Sequence, residues 1–191
     1  MARPRDTRVD EAILTATREL LAEAGYAGLT MDAVAERARI GKAAIYRRHA
    51  TKQEMVFSAA VHGADLPDPP DTGSLRGDLV ALVREIVDHL TNPAAAAAIP
   101  GLMGDLSSSP ELAARFQDIL VTRQQLGIEH LLDRAVARGE LRTAPDVSLV
   151  HALVSGPVFA VIYVQNRSPE GLPEQLGTVI HAALAASSQN A

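Results

Sequence analysis

The chain of 191 residues contains no cysteine. That removes disulfides, thiolate nucleophiles and cysteine-based zinc sites together, and it suits a reducing compartment. Lysine is nearly absent as well, with only Lys42 and Lys52. There is no long hydrophobic run. The longest, Ala152 to Val164, covers 13 residues and includes Ser155, Gly156 and Pro157, short of the roughly 20 that a spanning helix needs. The N-terminus, Met1-Ala2-Arg3-Pro4-Arg5-Asp6, is polar and lacks the apolar core of a secretion signal. A soluble, cytoplasmic protein with no membrane partner is the expectation. Catalytic signatures are missing too: no Gly-x-Ser-x-Gly, His-Glu-x-x-His, phosphate loop or dinucleotide fingerprint occurs. The six histidines (His49, His62, His89, His130, His151, His181) are dispersed, and no two stand four apart. No enzyme, no cofactor and no metal site are therefore expected.

What is present is a chain that is 47% hydrophobic and long enough for one large or two small domains. The net charge of −5 hides an asymmetry. Residues 1–52 carry ten Arg or Lys against seven Asp or Glu, whereas residues 53–191 carry eight against sixteen. Between Arg37 and Lys52 stand six basic residues and no acid. Such a contrast reads as a basic contact surface attached to an acidic body; a solvated helix face is the alternative.

Helical periodicity dominates. Val9, Ala12, Ile13, Ala16, Leu20 and Leu21 form one stripe of a helix from Arg8 to Ala24, with Gly25 to end it. Thr30 stands as N-cap before a helix from Met31 to Ala38, and Arg39-Ile40-Gly41 is a tight break. Lys42 to His49 forms a second short helix, and Thr51 caps another from Lys52 to about Ala64. A proline-rich linker, Leu66 to Gly73, separates this head from the rest. Beyond it, Ser74 opens a helix to Leu90, and a weaker piece from Pro93 to Leu106 is interrupted at Pro100-Gly101. Pro110 opens a helix to about Arg138, Pro145 one to about Asn166, and Leu172 or Pro173 one to about Ala186. The spacing predicts an all-α protein of about nine helices. The domains expected are 1–52 as a three-helix head, 53–73 as a connecting helix and linker, and 74–191 as a helical bundle.

Two short helices, a three-residue break and small residues where they meet are the parts of a helix-turn-helix. Ala35 and Ala38 permit close approach, and Val34, Ile40 and Ile45 face inward. In such a unit the second helix enters the major groove of double-stranded DNA, with flanking basic and hydroxyl groups on phosphates. The first helix, Thr30, the segment Ala38-Arg39-Ile40-Gly41-Lys42-Ala43-Ala44-Ile45-Tyr46-Arg47-Arg48-His49 and Thr51-Lys52 together resemble the DNA-binding domain of the TetR family of bacterial repressors. That family typically shows Ala-Gly-Val-Ser-Lys-Gly-Thr-Leu-Tyr-Arg-His-Phe-Pro-Ser-Lys here. The resemblance implies phosphate contacts from Thr30, Tyr46 and Lys52. It implies groove-facing positions for Lys42, Ala43, Ala44 and Arg47. Arg48 and His49 are added as DNA-contact candidates. For Tyr46 the alternative is a core aromatic, and for Arg47 and Arg48 solvated charge. Arg3, Arg5 and Arg8 are either a disordered tail or an arm on DNA. Arg39 stands where the family usually has glycine, so a left-handed turn there costs about 1–2 kcal/mol. Gly41, Ala43 and Ala44 replace Ser, Gly and Thr, which leaves base choice to Lys42, Arg47 and Arg48.

For the body, the resemblance implies a small-molecule effector and a homodimer. The segment from Asp146 to Val164 is apolar nearly all round, and a helix apolar on every side must be covered on every side. It and the last helix, with Leu172, Leu176, Val179, Ile180, Ala183 and Leu184 on one face, are expected to form a four-helix interface between two copies. A two-fold dimer then presents two reading helices to a pseudo-palindromic operator. Candidates for a pocket are Met103, Leu106, Phe116, Leu120, Phe159 and Tyr163, with polar contacts from His130, His151 and Tyr163. Each apolar candidate has plain core as its alternative. Their character points to a hydrophobic or amphipathic ligand. The competing function is a helical interaction module without DNA binding, which has no need of the basic run from Arg37 to Lys52.

Overall fold

The computed structural model describes residues 7–62, 70–117 and 121–189. Among them the chain forms ten α-helices and no strand, so the all-α reading holds with one helix more than expected. The chain divides into two compact units. One comprises Met1–Asp65 with Asn92–Phe116, the other Leu66–Thr91 with Gln117–Ala191. Residues 92–116 thus associate with the N-terminal helices, although the sequence pattern assigns them to a body starting at 74.

In the first unit, α1 (Thr7–Gly28) packs against α2 (Met31–Ala38) and against α6 (Pro93–Ser108). Gly25 has φ 67° and ψ 179°, a combination that glycine alone takes readily. It kinks α1, which resumes for a further turn to Gly28 instead of stopping at Ala24. The buried face of α6 is built from small residues, Ala94, Ala95 and Ala98, followed by Ile99 and Leu102. Alanines let a helix approach closely without presenting a bulky stripe. Pro100 does not interrupt α6: it removes one N–H donor, and the turns on either side carry the helix through. The helix α3 (Lys42–Tyr46) ends three residues earlier than expected. The helix α4 (Lys52–Phe57) passes into a π-helical turn, Ser58–His62, within which the Ala59 carbonyl accepts a 2.8 Å bond from Arg18 Nε of α1. A short α7 (Pro110–Phe116) follows α6.

The second unit consists of α5 (Leu75–Thr91), α8 (Thr122–Ala137), α9 (Val147–Phe159) and α10 (Leu172–Gln189). Of the single helix expected from Pro110 to about Arg138, the described parts are α7 and α8, bordered by π-helical residues at 117 and 121; the stretch 118–120, on which its continuity depends, lies outside the described residues. Leu75, Leu79, Val83, Leu131, Leu132, Val150, Val154 and Val158 are fully buried in one core. Where α10 crosses α5, a methyl at Gly177 would stand 2.6 Å from Val80 Cγ2 and 2.9 Å from Val80 backbone. Glycine is what permits that approach. The start of α5 is tied to the end of α8 by a buried carboxylate. Asp78 accepts from Thr72 N at 2.6 Å and Thr72 Oγ1 at 2.8 Å, and pairs with Arg138 Nη2 at 3.0 Å. Glu140, bound to Arg138, accepts from Leu75 N at 2.8 Å. Asp146 caps α9 through Leu149 N at 2.7 Å. Pro157 lies inside α9, and the helix switches to a π-helical turn, Ala160–Val164, just beyond it. From Val147 to Val164 this element has a mean hydropathy of 2.0, yet only 17% of it is buried. By length and composition alone these 18 residues reach the range of a membrane span, longer than the uninterrupted apolar run seen in the sequence.

Candidate nucleic-acid interface

The first unit assembles the helix-turn-helix from local rules. The Thr30 hydroxyl accepts the Ala33 N–H at 3.1 Å and starts α2. At its other end Arg39 adopts φ 55°, ψ 41°. The Arg39 N–H reaches Glu36 O at 3.1 Å and the Ile40 N–H reaches Ala35 O at 3.0 Å. This pair of bonds is a Schellman ending, which ordinarily has glycine at the left-handed residue. Val34, Ala35 and Ile45 are buried and hold α2 against α3. Thr51 caps α4 through Glu54 N at 3.1 Å, while the Glu54 carboxylate accepts from Ala50 N at 2.7 Å, a reciprocal cap.

The candidate DNA residues divide into two groups. Thr30, Lys42, Ala43, Tyr46 and Arg47 are exposed. Tyr46 is 52% exposed, which excludes its alternative reading as a core aromatic in this chain. Arg47 makes no ion pair among the described residues. Lys42 pairs with Asp32 of α2 at 2.6 Å, both side chains more than half exposed, and that carboxylate raises the affinity of the ammonium for its proton. Ala44, Arg48, His49 and Lys52 are partly buried. The Arg48 guanidinium is engaged twice within the head, by Asp10 of α1 and by the Ala44 carbonyl at 3.1 Å. It fastens α3 to α1. Arg37, counted in the basic run, is likewise held by Glu19 at 3.2 Å and Glu23 at 2.7 Å. Of the N-terminal arginines, Arg8 is exposed, and Arg3 and Arg5 lie outside the described residues.

Lys52 is a candidate through the family resemblance, and its surroundings are richer than the sequence indicates. Its ammonium sits 4.4 Å from the ring centroid of Tyr26. The Tyr26 hydroxyl donates to Asp105 of α6, and Gln53 Nε2 donates to the same Asp105 oxygen at 2.8 Å. Those two bonds hold the Asp105 carboxyl below the usual carboxylate range. Burial and the bond to Asp105 push the Tyr26 phenol up. Farther along α4, Glu54 pairs with Arg115, and the Phe57 ring lies 5.2 Å from that of Phe116. None of these α6 and α7 partners is legible in the sequence as part of the head, because each is distant along the chain from the residue it meets.

The pocket candidates are distributed over both units. Met103, Leu106 and Phe116 belong to the first, Phe159 and Tyr163 to the second, and Leu120 lies outside the described residues. In the second unit the Phe159 and Tyr163 rings lie tilted by 45° with centroids 5.0 Å apart, and the Tyr163 hydroxyl donates to Leu90 O at 2.8 Å. Burial pushes the Tyr163 phenol up to about 12. His151 meets Gln124 Oε1 at 2.9 Å, and His130 is exposed. No group of three or more His, Asp or Glu suited to a metal ion occurs among the described residues.

Two family models match this chain. Residues 13–59 match that for bacterial regulatory proteins of the tetR family, and residues 69–185 that for the tetracyclin repressor-like C-terminal domain. Among curated relatives, the HTH-type transcriptional regulator Rv1556 of Mycobacterium tuberculosis is 35% identical over 171 residues, covering 87% of this chain and 80% of its own. The DNA-binding transcriptional repressor TetR of Mycobacteroides abscessus is 34% identical over 148 residues, 73% of this chain and 74% of its own. Among solved structures, the TetR family transcription regulator SCO0332 superposes with a TM-score of 0.73 at 23% identity, covering 91% and 97% of the two chains. The likeness in fold therefore extends over nearly the whole length.

Proposed function

This chain belongs to the TetR family of helix-turn-helix transcriptional regulators, and from that premise we propose that it is a homodimeric repressor, released from its operator by a hydrophobic or amphipathic small molecule. The observation that carries the DNA half is the α2–α3 unit, with its buried Val34–Ile45 seam and its exposed Lys42, Ala43, Tyr46 and Arg47. Thr30 and Lys52 supply phosphate contacts from the flanking helix starts. The dimer half rests on α9 and α10. An element of mean hydropathy 2.0 that is 17% buried, with its own Leu149 and Val164 exposed by 55% and 73% and Val179 of α10 by 65%, calls for a cover. A second copy supplies one through residues 145–166 and 172–186. The effector follows from the family resemblance and from the apolar character of the pocket candidates.

Selection of bound duplexes from random DNA tests this reading. The expected product is a two-fold-symmetric site whose half-sites lie about 34–36 Å apart or a multiple of that. Failure to enrich any sequence refutes operator recognition, and enrichment of isolated half-sites by a monomer refutes the dimer. For the effector, a molecule that binds the protein yet leaves operator affinity unchanged has equal affinity for both states and is no inducer.

A further inference from the structure

We propose that Tyr26 and Asp105 are positioning residues for DNA binding: together they preset the Lys52 side chain for its phosphate, so that the reading head includes a residue of α6. The proposal rests on the assignment of Lys52 as a phosphate contact. Four observations within the first unit support it. Gly25 kinks α1 at a positive φ and redirects the chain at Tyr26. The Tyr26 ring then lies directly on Gly101 of α6, where an added methyl would stand 2.2 Å from Tyr26 Cδ1. One turn farther along α6, a single Asp105 oxygen accepts both the Tyr26 hydroxyl and the Gln53 amide. Lys52, next to Gln53, rests its ammonium over the ring at 4.4 Å.

The chemistry fits positioning. A lysine is a point charge on a flexible stem and loses about 2 kcal/mol of rotamer entropy when fixed. A ring face beneath the ammonium attracts it without consuming its hydrogen-bond donors, so the cation remains able to bind an anion from its open side. The hydroxyl bond to Asp105 fixes the ring, and the Asp105 charge draws the ammonium toward it. Part of the ordering that DNA binding requires of Lys52 is thereby complete in the free protein.

The test uses the full-length protein on its selected operator, with affinity measured across a salt series. Lys52→Ala is expected to reduce the slope of log K against log salt by about 0.9 for each phosphate that Lys52 neutralises. Tyr26→Phe keeps the ring and removes the hydroxyl, and Asp105→Asn removes the charge. Each is expected to weaken binding about three- to ten-fold when Lys52 is present, and to add no further loss in the Lys52→Ala background. Equal losses in both backgrounds, no loss, or a gain overturns the positioning role. If Lys52→Ala changes neither affinity nor slope, the phosphate assignment falls and the proposal with it. That outcome is distinguishable from failure of positioning alone, in which Lys52→Ala flattens the slope while the other two act independently of it. Should Asp105→Asn fail to fold, Tyr26→Phe decides, since it preserves the packing on Gly101.

Discussion

Replacing Arg39 with glycine should stabilise this protein although it deletes a complete side chain. Arg39 is exposed, makes no ion pair among the described residues, and sits at φ 55°, ψ 41° in the ending of α2. For an L-residue that conformation costs about 1–2 kcal/mol. Glycine removes the cost but brings back about 0.4–1 kcal/mol through its greater freedom in the unfolded chain. The net expectation is a gain of about 0.5–1 kcal/mol, or about 1–4 °C in Tm for a chain of this size. The assay is thermal unfolding followed by circular dichroism, with Arg39→Ala as the control. Alanine keeps the Cβ and therefore the strain, so its Tm should remain within about 1 °C of the parent. If the glycine and alanine variants shift together, or if glycine lowers Tm, the strain reasoning is wrong and the Arg39 side chain makes the contribution.

Arg47→Ala should alter the base preference recovered by selection from random DNA, because its side chain is exposed beside α3 and makes no ion pair among the described residues; an unchanged motif removes it from the reading surface. Arg48→Ala should do the reverse, leaving the motif intact and lowering stability by about 1.5–3 kcal/mol as the charged hydrogen bonds to Asp10 and Ala44 disappear. Chemical denaturation and the same selection check both halves. Burial lowers the pKa of His89 and of His151 below 6.5, so the unfolded chain binds protons more readily than the folded one. The stability that comes from keeping these rings neutral is present above about pH 6.5 and is lost as pH falls through the lower, folded values. The urea midpoint should drop over that window, and the drop should shrink in His89→Gln; an unchanged drop excludes His89 as a source.

What is legible in the sequence is what depends on neighbours along the chain. Thr30 and Thr51 cap the helices they precede because an N-cap is a bond between residues two or three apart. The left-handed Arg39 is readable for the same reason. The docking of α6 on α1 is hidden: its buried face is mostly alanine, which gives no hydrophobic stripe, and Gly101 contributes by having no side chain at all.

The basic run from Arg37 to Lys52 marks the helix-turn-helix head, and it overstates the charge available there. Composition counts cations and cannot see that Arg37 closes on Glu19 and Glu23, or that Arg48 closes on Asp10, since those acids lie 14 to 38 residues away. With these two engaged, Arg39, Lys42, Arg47 and Lys52 remain on each subunit of the proposed dimer. The distinction is measurable. Were all six cations of both subunits to neutralise phosphates, log K would fall against log salt with a slope of about −11; four per subunit give at most about −7. A measured slope near −11 would show that Arg37 and Arg48 leave their carboxylates on DNA, and would overturn their role as internal fasteners. A slope of about −7 or shallower keeps them in the scaffold. It also leaves Lys42 as a cation that must trade Asp32 for DNA, an exchange that costs little because an exposed pair is worth only about 0–1 kcal/mol.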